Sequence, residues 1–76
     1  MEVQLKCAKE MFEKLGWQYN TYEDEIYYLK WSNDNSFPVK NEIQFKNSKE
    51  LFIDASVTLE ELKAINKQIE ELHWND

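Results

Sequence analysis

Gly16 is the only glycine in the chain, and it divides two stretches with different hydrophobic periods. Before it, Leu5, Ala8, Met11, Phe12 and Leu15 recur at helical spacing, within a sector of about 120°. The spacing predicts an amphipathic helix over 3–15, with Gly16 as the left-handed residue that stops it. After it the chain turns to β-formers, Trp17 to Tyr22 and then Ile26 to Trp31, separated by the acidic turn Glu23-Asp24-Glu25. These read as a hairpin. Ser32 to Ser36 is turn chemistry and Pro38 lacks a backbone donor, so residues 32–41 are expected to form a loop. Two further strands are expected over 42–46 and 49–54, joined by a two-residue turn at Asn47-Ser48 in which Asn47 takes the positive φ.

Thr58 with Glu61 three residues on is a capping box, and Val57 with Leu62 stands at the two positions of a hydrophobic staple. A second helix therefore begins here and runs to about His73. Leu59, Leu62, Ile65, Ile69 and Leu72 line one face of it, with Asn66 between Leu62 and Ile69 on the inward side. Trp74, off that stripe, is expected to close over the sheet once the helix ends. The chain is thus expected to be one α+β domain over 1–76, ordered α-β-β-β-β-α. Four strands form an antiparallel meander with two helices packed on one face.

Composition narrows the chemistry. Eleven aromatics in 76 residues must carry much of the core, because a domain this small has little other apolar mass to bury. The net charge of -6 and the absence of arginine oppose duplex nucleic-acid binding and remove the usual instrument of phosphate recognition. The longest apolar run is far below the roughly 18 residues of a membrane span. A single cysteine, Cys7, and an N-terminus without a basic region followed by an apolar stretch point to a cytoplasmic home.

Little in the sequence supports catalysis. One histidine, His73, stands near the end of the second helix, where packing or the helix C-terminus accounts for it. Glu23-Asp24-Glu25 is read as a solvated turn, since three consecutive carboxylates cannot all converge on one ion. Asn33-Asp34-Asn35 has the oxygen chemistry of a calcium loop but lacks its glycine and distal glutamate. No catalytic residue, cofactor or metal is assigned, and the chain is expected not to be an enzyme.

Alternation along the strands places Ile43, Phe45, Leu51 and Ile53 on the covered face and Gln44, Lys46 and Phe52 outside. In the second strand Tyr27, Leu29 and Trp31 make the more apolar set, so they are assigned inward and Ile26, Tyr28 and Lys30 outward. Ile26, Tyr28, Gln44 and Phe52 then form a half-apolar patch on the open face, the expected partner-contact residues. Asn66 is the expected polar anchor of a groove between the second helix and the sheet.

Leu15-Gly16-Trp17, Ile43-Gln44-Phe45 and above all the run from Val57 to Trp74 resemble a group of short, uncharacterised proteins of phages and prophages of low-GC Gram-positive bacteria. Members commonly carry glycine where His73 stands. The resemblance implies an accessory phage gene product, a class that includes many small proteins acting by binding host or phage proteins. A non-enzymatic protein-binding role is therefore the leading expectation. A small-molecule or nucleotide-binding module using the groove near Asn66 is the alternative, and self-association as a homodimer through the sheet is a third.

Overall fold

The computed structural model describes residues 7–34 and 36–74. Helix α1 (Ala8–Lys14) is followed by strands β1 (Gln18–Tyr22), β2 (Glu25–Asp34), β3 (Phe37–Phe45) and β4 (Leu51–Asp54), then helix α2 (Leu59–Glu71). The strands form one antiparallel sheet in the order β1-β2-β3-β4, with residues of both helices packed into a core on one of its faces. This is the expected architecture. The first turns predicted for the N-terminal helix, with Leu5, lie outside the described residues.

Both helices stop in the same way. At the end of α1, Gly16 takes φ 93°, the Gly16 N–H donates to the Glu13 carbonyl, and the Trp17 N–H donates to Phe12. At the end of α2, His73 takes φ 59°, its N–H donates to Glu70, and the Trp74 N–H donates to Ile69. These are the paired bonds of a Schellman motif, and each delivers a tryptophan onto the core. Trp74 does close over the sheet, with its ring 5.9 Å from that of Phe45.

The hairpins correct two expectations. In the stretch 32–41, expected to be a loop, residues 32–34 and 37–41 are strand, because the β2–β3 ladder continues through Ser32↔Val39 and Asn33↔Pro38 to Asp34↔Phe37. Pro38 is tolerated because β4 pairs only with Glu42–Phe45, which leaves the outer edge of β3 free at 37–41. The Asn41 amide also braces this arm, donating to the Lys30 carbonyl at 3.0 Å and to Ser32 Oγ at 3.1 Å. In the β3–β4 turn the positive φ belongs to Lys49, not Asn47. Asn47 is engaged elsewhere. Its backbone N–H donates to Glu25 Oε2 and its amide donates to the Glu23 carbonyl, tying two turns together at one end of the sheet.

The core is aromatic at its centre. Phe12 stacks on Tyr28 at 3.9 Å, and Phe45 meets both rings edge-on. Tyr28 is fully buried, which overturns its outward assignment, and Ile26 packs against the same core. Register explains the inversion: Ile26 pairs with Phe45 and Tyr28 with Ile43, so these partners share the inward face. The inward set of β2 is also the one whose polar ends find partners. The Tyr28 hydroxyl donates to Gln68 Oε1 at 2.6 Å, and Lys30 Nζ lies 3.4 Å from Glu61 Oε2.

Helix α2 is rotated from its apolar stripe for the same reason. Its buried residues are Glu61, Ala64, Ile65 and Gln68, while Leu59 and Leu62 are 66% and 44% exposed. A tryptophan N–H and a tyrosine hydroxyl in the core each need an acceptor, and a buried polar group left unpaired costs about 1–3 kcal/mol. Glu61 and Gln68 supply those acceptors. The capping box forms as expected, with the Glu61 N–H donating to Thr58 Oγ1 and the Thr58 N–H donating to Glu61 Oε1 at 2.8 Å.

Two stability predictions follow from these contacts. His73→Gly should raise stability by about 0.5–1 kcal/mol, since a left-handed conformation strains every residue with a Cβ. A lowered thermal midpoint would show that the His73 side chain outweighs that strain. Burial raises the Glu61 carboxyl, but bonds from the Thr58 N–H and the Trp17 indole and the charge of Lys30 bring it below its ordinary value of 4.5. Its contribution is therefore complete above that value and lost as pH falls through the lower folded one. Glu61→Gln should cost about 1–3 kcal/mol at pH 7 and flatten the acid limb of stability against pH. A parallel acid limb in the variant would contradict this.

Candidate contact surface

The face of the sheet opposite the helices is built by the other half of each strand's alternation. Asn20, Tyr27, Gln44 and Phe52 form one row across it, and Gln18, Leu29, Glu42 and Asp54 form the next. Trp31 pairs with Lys40 one step further along. An apolar ridge of Tyr27, Leu29 and Trp31 thus runs along β2, flanked by polar and charged residues on β1 and β3. Phe52 stands apart on β4 with Lys46 Nζ 5.9 Å from its ring centre.

Of the four contact residues expected from sequence, Gln44 and Phe52 lie on this face and in register with each other, while Ile26 and Tyr28 do not. Tyr27 occupies the place given to Tyr28. Trp31, expected inward for its size and apolarity, stands on this face and is 61% exposed. The signal that finds it is register, carried from Ile43 and Phe45 across the β2–β3 pairing.

Beyond Leu29 and Glu42 the β2–β3 hairpin projects as a two-stranded arm, paired with neither β1 nor β4. Phe37 at its tip is 71% exposed. An isolated two-stranded ribbon has little stability in water, so an arm carrying exposed aromatic residues gains most from a second surface against it.

The expected groove is relocated. Asn66 is exposed on α2 and anchors nothing in the fold; the buried amide is Gln68. A cleft of about 290 Å³ lies instead at the start of α2, lined by residues including Trp17, Lys30, Ser32, Asn41, Thr58 and Glu61. Glu61 is already saturated there, accepting from Thr58, from Trp17 Nε1 at 2.7 Å and from Lys30. A second recess, of about 400 Å³, lies between the helices and is lined by Met11, Lys14, Leu15 and Glu60.

Other candidate groups have structural partners. Both Glu25 oxygens are bonded, to Gln44 Nε2 at 3.1 Å and to the Asn47 N–H at 3.0 Å, and Cys7 Sγ lies 3.2 Å from Glu10 Oε1. The Tyr28 hydroxyl is held protonated well above the usual tyrosine range by burial, reinforced by Tyr19 and Glu71. Among the described residues no cluster of His, Cys, Asp and Glu is placed to hold a metal ion, and no helix is long and apolar enough to cross a membrane.

The two faces predict opposite responses to substitution. Trp31→Ser and Phe52→Ser should each change stability by less than about 0.5 kcal/mol. Tyr28→Ser should cost about 3–5 kcal/mol and Leu51→Ser somewhat less, since both leave cavities in or beside the core. Circular dichroism melts in which Trp31→Ser proves the more damaging of the β2 pair would invert the faces described above.

No family model, curated protein or solved structure matches this chain.

Proposed function

We propose that this chain is a non-enzymatic binding protein, an accessory product of phage or prophage origin acting in the host cytoplasm by occupying the surface of a host or phage protein. The observation that carries the reading is the Tyr27, Leu29 and Trp31 ridge on the uncovered sheet face. A domain of this size gains nothing in stability from an indole left in water, whereas tryptophan and tyrosine are the side chains that anchor protein interfaces. Polar and charged neighbours, Gln44, Lys40 and Glu42 among them, frame the ridge as a rim frames an interface core. The acidity of the chain favours a partner with a neutral or basic surface and speeds its encounter at low salt.

A second reading has its own observation. The cleft of about 290 Å³ beside Lys30 and Asn41, between α2 and the sheet, sets a few convergent polar groups against apolar lining from Trp17 and Ala55, the composition of a small-ligand site. It would place a small-molecule site at Lys30, Ser32 and Asn41 in place of Asn66.

Affinity capture from the native host lysate, with native mass spectrometry of the purified protein alongside, separates the two. The binding reading expects one stoichiometric protein partner that is lost with a Trp31→Ser/Phe52→Ser variant whose melt is unchanged. Undiminished capture by that variant would contradict the open-face assignment. A small molecule retained in native spectra and lost with Asn41→Ala would favour the cleft.

A further inference from the structure

Among the described residues the sheet has two outer edges, β1 and β4, and two more stretches of free edge where the β2–β3 arm outruns its neighbours. A free edge is a row of unpaired N–H and C=O groups, and folded proteins guard such rows with charge, proline or brevity. Three of the four are guarded here. β4 is only four residues long, ends in Asp54 and follows Lys49 and Glu50. The free stretch of β3 holds Pro38 and Lys40, and that of β2 holds Lys30. β1 is different: Gln18-Tyr19-Asn20-Thr21-Tyr22 has no charge, no proline and no glycine, and three of its five residues are aromatic or β-branched.

We infer that β1 is a docking edge for an extended segment of a protein partner, which adds to the sheet as a fifth strand. This deepens the proposed binding function and rests on it. The chemistry on either side of the edge defines the segment. On the helix side Lys9 Nζ sits 4.8 Å from the centre of the Tyr19 ring, so residues of the added strand facing that side are apolar, not basic. On the open side they extend the row of Asn20, Tyr27, Gln44 and Phe52, which suits aromatic or β-branched side chains. At the end of β1 the exposed Glu23 and Asp24 form the turn, so a lysine or arginine of the segment belongs there. Charge also decides between occupants. A second copy would bring another net charge of -6 and a second Glu23-Asp24 turn, whereas a segment carrying a basic residue meets an acidic chain.

The probe is a set of short peptides selected from a random displayed library on the folded protein and then synthesised. Supporting peptides carry alternating apolar residues with a lysine or arginine toward one end, and slow hydrogen exchange at alternate amides of Gln18–Tyr22. Backbone hydrogen bonding is tested on the peptide, which leaves the protein fold untouched. N-methylation of one alternating set of peptide amides should weaken binding by about tenfold or more, while methylation of the other set changes it by less than about twofold. Equal effects of the two sets, or selected peptides that bind without protecting β1, overturn strand addition. If those peptides also lose affinity in Trp31→Ser, the open-face reading survives alone. A solution mass that doubles with concentration, with β1 protected in the absence of peptide, overturns it in favour of a second copy. Failure to select any binding peptide overturns it as well.

Discussion

The Glu61 carboxylate is the contact on which the arrangement of this domain depends. One of its oxygens accepts the Thr58 N–H at the start of α2, and the other accepts the Trp17 indole at 2.7 Å and lies 3.4 Å from Lys30 Nζ. It thereby joins the cap of the last helix, the residue that follows the first helix, and the central strand β2. Those pieces lie far apart in sequence, Trp17 and Glu61 being 44 positions apart. A buried carboxylate without such partners would be costly; with three donors it fixes the rotation of α2 on the sheet.

That rotation decides what the surface shows. Because Glu61 and Gln68 face inward, Leu59 and Leu62 are displaced toward solvent, and because Lys30 and Tyr28 reach those acceptors, Trp31 and Tyr27 are left on the other side of β2. Polar pairing in the core and apolar exposure outside it are two consequences of one choice of face. The second tie between the helices acts in the same sense, since the first N–H of α1, on Ala8, donates to Glu71 near the end of α2. Together the two ties set the helices antiparallel over the sheet.

Much of this was legible in the residues themselves. Gly16 at a helix stop, Thr58 with Glu61 as a capping box and the order of six elements all depend on local chemistry, and local chemistry is written in short stretches of sequence. What escaped was the choice between two faces of comparable apolarity. Tyr28 and Gln68 look like surface residues one at a time; as a hydroxyl and an amide 40 residues apart that satisfy each other, they are core. The β2–β3 arm escaped for a related reason: Asn33 and Pro38 disfavour a strand locally, but the pairing that begins deeper in the sheet carries through them. The open-face row was half legible, because Gln44 and Phe52 depend on their own alternation while Tyr27 and Trp31 depend on the register between strands. Asn66 stands at apolar spacing yet is exposed, because the rotation of α2 turns Gln68 to the core and leaves the opposite side of the helix to Asn66.

The most direct test of this account is a double-mutant cycle between Trp17→Phe and Glu61→Gln, read by denaturant unfolding at neutral pH. If the indole and the carboxylate jointly seat α2, the two substitutions should be coupled by about 1–2 kcal/mol, well beyond the few tenths expected for independent sites. Additive losses would show that Trp17 and Glu61 contribute separately, and that something other than their hydrogen bond selects the face of α2 and, with it, the residues left exposed on the sheet.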